Sequence, residues 1–137
     1  MSLGFQVITR GLTSVCVWLS SDQLDYLSAR DQCQAKGAHL FTPKTQEKLE
    51  ILLNIVPDKS SPIWIGLNDM EESFNFVWED DQSVLDDSWA KVLFHPGDPN
   101  NMYDIERCVC YQPDSEPVID QPCDTPALYL CEVNPAV

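Results

Sequence analysis

With 137 residues, 44% of them hydrophobic, the chain is long enough for one domain with its own core and too apolar to be disordered. Its 22 acidic residues outnumber 8 basic ones, giving a formal charge of −14 that repels nucleic-acid phosphates and anionic lipid headgroups. Nucleic acid is therefore excluded as a partner, and no apolar run in the chain approaches membrane-spanning length.

The opening MSLGFQ lacks a basic start and an apolar stretch, so Met1 is read as the beginning of a mature domain and not of a signal peptide. FQVI and VCVWLS read as short strands. SDQLDYLSARDQCQAKG predicts a helix with Leu24, Leu27 and Cys33 on its buried face, ended by Gly37 in a left-handed conformation. TPKTQEKLEILLNIVP predicts a second helix capped by Thr45, burying Leu49, Leu52, Leu53 and Val56, and stopped by Pro57. IWIGL reads as a buried strand, SFNFVWE as an alternating one, and CVCYQ and LYLCE as two more. Between Trp78 and Cys108 lie about thirty residues of little periodicity, rich in Asp, Asn, Pro and Gly, a loop length that is usually functional. Two helices, then strands separated by long loops, make an α+β domain spanning residues 1–137.

The acidity is uneven. From Asp69 to Asp124 there are fifteen acidic residues, opposed by Lys91 and Arg107 alone. Such a half is either a solvated face or a gathering of carboxylates around a hard cation. The six cysteines, at 16, 33, 108, 110, 123 and 131, contain no CxxC pair, which speaks against zinc and for a disulfide framework made in an oxidising compartment. Fifteen connectivities are open to three bridges by counting alone. No Asn-x-Ser/Thr acceptor for N-glycosylation is present.

An ordered series of motifs runs through the chain: ARDQCQAKGAHL, TQEKLEILL, IWIGLND, SFNFVWED, DDSW, GDPNN, ERCV, DQPC and YLCE. In that order and spacing they resemble the C-type lectin-like domain. The resemblance implies a fold of two helices flanking short antiparallel sheets, with a long loop of the calcium-binding type. It also implies bridges Cys33–Cys131 and Cys108–Cys123. Cys16 and Cys110 are left over: they pair with each other, or a partner of one lies elsewhere, or one is free. Trp64-Ile65-Gly66-Leu67 falls on the family's core strand and is read as packing, not as a binding site.

Calcium takes about six to eight oxygen ligands. In sugar-binding members of that family they come from a Glu-Pro-Asn triplet, a later Glu, and the Asn-Asp of a triplet just before a cysteine. Carried over, these positions are Asp98-Pro99-Asn100, Glu106, and Val118-Ile119-Asp120. The implied metal and ligand-binding set is therefore Asp98, Asn100, Glu106 and Asp120. Asp98 is one methylene shorter than Glu, and Ile119 stands where an amide oxygen is needed. An auxiliary calcium site would use Asp69, Glu72, Asn101 and Glu106, but the cation Arg107 stands beside it and opposes a second metal.

The expected function is that of an extracellular recognition module, secreted or in the ectodomain of a membrane protein. It binds a mannose- or fucose-type glycan with Ca2+, through a partly degenerate site. The alternative is a calcium-independent protein-binding domain that uses Val92, Leu93 and Phe94 of WAKVLFHP. An enzyme is not expected: no nucleophile–histidine arrangement is legible, His39 belongs to the family's GAHL stretch, and nothing orients the loop carboxylates as acid and base.

Overall fold

The computed structural model describes residues 5–55, 62–70, 75–93, 108–111 and 118–133. The chain enters through a hairpin of β1 (Gln6–Arg10) and β2 (Thr13–Leu19). Gly11 at the turn has φ 60, a left-handed conformation that costs glycine little because it has no Cβ.

α1 (Tyr26–Ala35) starts later than its periodicity predicts, because Asp25 is its N-cap and accepts from the Ser28 backbone N–H at 3.3 Å. This start sets the buried face to Tyr26, Ala29 and Cys33. The expected stripe is corrected accordingly. Leu27 is exposed, and Leu24 is not helical but bridges Ala127 in an antiparallel pair. Gly37 ends the helix at φ 74, as expected.

β3 (His39–Leu40) leads to α2 (Gln46–Ile55). Thr45 caps α2 through Oγ1, which accepts from the Lys48 backbone N–H at 3.2 Å. Leu49, Ile51 and Leu52 are buried and Leu53 is half-buried, while Val56 lies outside the described residues.

β4 (Ile63–Asn68) is buried at every position. Of the alternating strand expected over SFNFVWE, β5 (Val77–Trp78) is formed, with Phe76 buried beside it, and residues 73 and 74 lie outside the described residues. The segment read as aperiodic after Trp78 contains a third helix, α3 (Asp87–Leu93). Asp86 caps α3, its Oδ2 accepting from the backbone N–H groups of Ser88 and Trp89 at 3.1 and 3.2 Å. These bonds, with that from the Ser88 hydroxyl foremost, hold the Asp86 carboxyl below its usual pKa. Seven residues are too short to show a period, so cap chemistry was the legible sign.

β6 (Cys108–Tyr111), β7 (Val118–Gln121) and β8 (Leu128–Val133) complete the sheet. Its strand order is β1-β2-β8-β4-β6-β7, with β3 added to β8 and β5 to β4. Not every pairing is antiparallel: β4 and β8 run parallel, Ile63 opposite Leu128. One core cluster packs α2 on the sheet, with Phe41, Leu52, Ile65, Leu67 and Leu130 fully buried, and a second gathers Tyr26, Ala29 and Cys33 of α1 with Leu40, Trp64 and Tyr129.

Both implied disulfides are formed. Cys33–Cys131 ties α1 to β8 with Cα atoms 5.4 Å apart, and Cys108–Cys123 joins β6 to the segment after β7. The first closes 98 residues of sequence, a loop length for which chain entropy contributes on the order of 4–5 kcal/mol. The Cys16–Cys110 alternative is not made. Both residues are buried, but β8 and β4 lie between their strands. That separation is on the order of 14 Å at ~4.8 Å per strand, twice the reach of a disulfide.

β4 lies close against the segment that follows β3. A Cβ added at Gly66 would meet the Leu40 carbonyl oxygen at 2.6 Å and Thr42 Cγ2 at 3.1 Å. The Gly66 N–H instead donates to the Phe41 carbonyl at 2.7 Å. Gly66→Ala is therefore expected to destabilise the fold by about 1–3 kcal/mol, the range for overpacking, as measured by urea denaturation.

Tyr129 on β8 is buried, stacks obliquely on Trp18, and donates its hydroxyl to Asp22 Oδ1 at 3.0 Å. Burial, then the bond to Asp22 and its charge, push the phenol up to about 12. A folded pKa above the unfolded value of 10.0 means that this stabilisation is complete below pH 10.0 and is lost as pH rises through about 12. Tyrosinate absorbance should accordingly show Tyr129 ionising only near pH 12.

Candidate functional site

β4 ends at Asn68, and the next residue, Asp69, is buried with it. The polar end of this hydrophobic strand is held by a compact set of hydrogen bonds. Asn68 Nδ2 donates to Glu79 Oε2 at 2.9 Å and to the Tyr26 hydroxyl at 3.2 Å. Tyr26 in turn donates to Glu79 Oε2 at 2.9 Å. Arg30 Nη1 stands 3.7 Å from the same oxygen, so the Glu79 carboxylate, 6% exposed, has a cation and two donors to offset its burial. Asn68 Oδ1 accepts from the Met70 N–H at 3.2 Å and thereby shapes the exit from the strand.

The same set explains the titration of Tyr26. Burial pushes its phenol well above the usual tyrosine value, and the negative charge of Glu79 adds to the effect. α1, β4 and the turn after β5 are locked together here, although nothing in the hydrophobic period singled out Tyr26, Arg30 or Glu79. The available signal was position: an acid directly after the core Trp78, and a tyrosine at the first turn of a helix.

Across the sheet, Asn68 is opposite Cys108 on β6, and Cys108 is opposite Gln121 on β7. Asp120 pairs with Val109 in the adjacent row. The end of β4, the start of β6 and the end of β7 therefore come together, and the Cys108–Cys123 bridge crosses this corner. Of the expected calcium set, Asp120 is placed through its backbone in β7, while Asp98, Asn100 and Glu106 lie outside the described residues. In the auxiliary set, Asp69 is placed at the end of β4, and Glu72 and Asn101 lie outside the described residues.

The donor chemistry of the expected set suits calcium: three carboxylates and one amide, all hard oxygen donors, with no thiol or imidazole. The candidate protein-binding stretch fares differently. Leu93 is fully buried on α3 and leaves the surface, Val92 is exposed, and Phe94 lies outside the described residues. Leu93 is thus corrected from a contact residue to a core residue. α3 is seated by Trp89, whose Nε1 donates to the Pro43 carbonyl at 2.9 Å.

Residues 22–133 match the family model of the Lectin C-type domain, and the chain belongs to that family. It is 27% identical over 118 residues to C-type mannose receptor 2 of Mus musculus, a match that covers 85% of this chain and 8% of the relative. The chain thus spans less than a tenth of that protein's length. Among solved structures, it superimposes on the mouse scavenger receptor C-type lectin carbohydrate-recognition domain with a TM-score of 0.81, at 21% identity over 98% of each chain. A second is the C-type lectin domain of murine dendritic cell inhibitory receptor 2, solved with an N-glycan, at a TM-score of 0.78, 23% identity and 98% coverage of each chain.

Tyr26→Phe removes one donor to Glu79 and one acceptor from Asn68 inside a buried set. A loss of about 1–3 kcal/mol in urea unfolding is expected, the cost of leaving buried polar groups short of a partner.

Proposed function

We propose that residues 1–137 form one extracellular recognition domain that binds a mannose- or fucose-type glycan with the help of calcium. The residues that would hold the ion are Asp98, Asn100, Glu106 and Asp120. Calcium, when bound, supplies coordination positions for two adjacent sugar hydroxyls. Asp98 and Asn100 would share those hydroxyls as hydrogen-bond partners, a role that rests on the resemblance of Asp98-Pro99-Asn100 to the sugar-binding triplet.

The observation that best supports this reading is the corner where β4, β6 and β7 meet under the Cys108–Cys123 bridge. Glu106 stands two residues before Cys108, where β6 begins, and Asp120 lies in β7, which pairs with β6 in register. The murine relative solved with an N-glycan is a protein of the same fold that engages such a ligand. Ile119 removes one amide oxygen from the set, so metal affinity is reduced and sugar affinity is reduced further, since that amide serves both partners in sugar-binding members.

A calcium titration read by melting temperature tests the proposal. A ligand at a hundredfold its Kd adds about 2.7 kcal/mol to stability, so saturating calcium should raise Tm by several degrees, and chelator should reverse it. Glu106→Gln should abolish the shift, and Ile119→Asn should move its midpoint to lower calcium. A flat response to millimolar calcium in the unsubstituted chain sinks the reading. Binding to a mannose or fucose array only in calcium would identify the ligand class.

A further inference from the structure

We propose that a second, metal-independent binding site, for a small polyhydroxylated and non-anionic ligand of monosaccharide size, lies in the cavity between β2, β3, α2, β8 and the turn after β5. The cavity measures about 530 Å3, within the range of roughly 300–1,000 Å3 typical of small-molecule sites. It shares no residue with the calcium set.

Its floor is a buried charge pair. Lys48 Nζ stands 2.6 Å from Glu132 Oε2, with the two side chains 15% and 6% exposed. Thr42 completes the floor: its N–H donates to Glu132 Oε1 at 3.1 Å, and its hydroxyl accepts from Lys48 at 3.1 Å. Tying α2 to β8 accounts for the pair itself. It does not account for a polar volume above it. A polar space of this size is filled by water, which the hydroxyls of a ligand would replace.

The hydrogen-bond inventory suits a polyol. Lys48 spends two of its three N–H groups on Thr42 and Glu132, and the third remains to donate. His39 Nδ1 donates to the Leu40 carbonyl at 2.8 Å, which leaves Nε2 as the ring's other hydrogen-bonding atom. At the rim, Asp80 and Asp81 hold Lys44 at 3.2 and 3.1 Å. Each ionised carboxylate offers about four lone-pair sites, so both keep capacity to accept from hydroxyls. Ser14 also lines the cavity, its hydroxyl bonded to that of Thr9 at 2.9 Å and with a lone pair left to accept.

Charge and shape narrow the class. Three carboxylates (Asp80, Asp81, Glu132) against two ammoniums (Lys44, Lys48) leave one net negative charge, which disfavours anions. The nearby Phe41 ring is covered by Lys48 Nζ, 4.9 Å from its centroid, so it offers no open face for stacking. Affinity then comes from hydrogen bonds alone, and a millimolar Kd is expected.

The test is an amide chemical-shift titration of the whole chain in excess EDTA, which removes any contribution from calcium. Methyl glucopyranoside should shift the amides of Ser14, His39, Thr42 and Asp81 saturably, and glucuronate at the same pH should shift them far less. Ser14→Tyr, a filling change at an exposed strand position, should raise Kd about tenfold or more, as should Lys48→Met. Should Lys48→Met fail to fold, the Ser14 variant decides alone. No saturable shift, shifts unaltered by Ser14→Tyr, or shifts produced only by butylammonium, a cation without hydroxyls, would each overturn the proposal. A loss of the calcium-dependent Tm rise with these EDTA-resistant shifts intact separates this site from the first.

Discussion

The missing Cβ at Gly66 lets β4 lie close against the backbone of residues 40–42, and both polar sites depend on that approach. The Gly66 N–H reaches the Phe41 carbonyl on one side, and the Gly66 carbonyl accepts from the Glu79 N–H at 2.9 Å on the other. The first contact positions Thr42 over Glu132 and Lys48. The second positions Glu79 beneath Tyr26 and Asn68. A single methyl group here would push against a backbone carbonyl, which cannot swing aside as a side chain can.

The turn that begins at Glu79 then divides its acids between two environments. Glu79 points into the buried set at the end of β4, while Asp80 and Asp81 turn to Lys44. Gln82, at φ 62, is the non-glycine residue that takes the left-handed conformation in this turn, closed by its N–H to the Trp78 carbonyl at 2.9 Å. Burial alone would lower the pKa of Lys44, yet its bonds to Asp81 and Asp80 raise it. Asp81 is held well below the usual carboxylate range, first by Ser83 and then by Lys44. Glu79 thus serves one site and Asp80 and Asp81 the other, with no partner in common between the two sites among the described residues.

What could be read from the sequence divides along physical lines. α2 was legible because Thr45 and an apolar stripe agree, and β4 because an unbroken apolar run flanked by turn residues has few alternatives. α1 was located but rotated, since Asp25 competes with the apolar period to set its start, and Leu24 is claimed by Ala127 instead. α3 and β7 were missed for opposite reasons. The helix is too short for periodicity, and the VIDQ of β7 was read as a ligand triplet and not as a strand. The parallel β4–β8 pair is non-local, and no local pattern encodes it. For the proposed calcium site, ordered motifs supplied the residues while periodicity supplied nothing; the cavity above the Lys48–Glu132 pair left no linear trace, because its lining is drawn from five separate segments.

Acid content by itself proves to be weak support for a cation site. Of the fifteen acidic residues from Asp69 to Asp124, at least four already have structural work among the described residues. Glu79 pairs with Arg30 and Tyr26, Asp80 and Asp81 hold Lys44, and Asp86 caps α3. A calcium argument from charge density would have counted all four. Two features bear on calcium instead: the identity of a few carboxylates and amides at specified distances from Cys108 and Cys123, and a sheet corner that holds those cysteines together. Carboxylates engaged with lysine, arginine or a helix N-terminus are poor ligands, since binding metal would first cost them those partners. The effective acidity left for a metal is therefore smaller than the composition suggests.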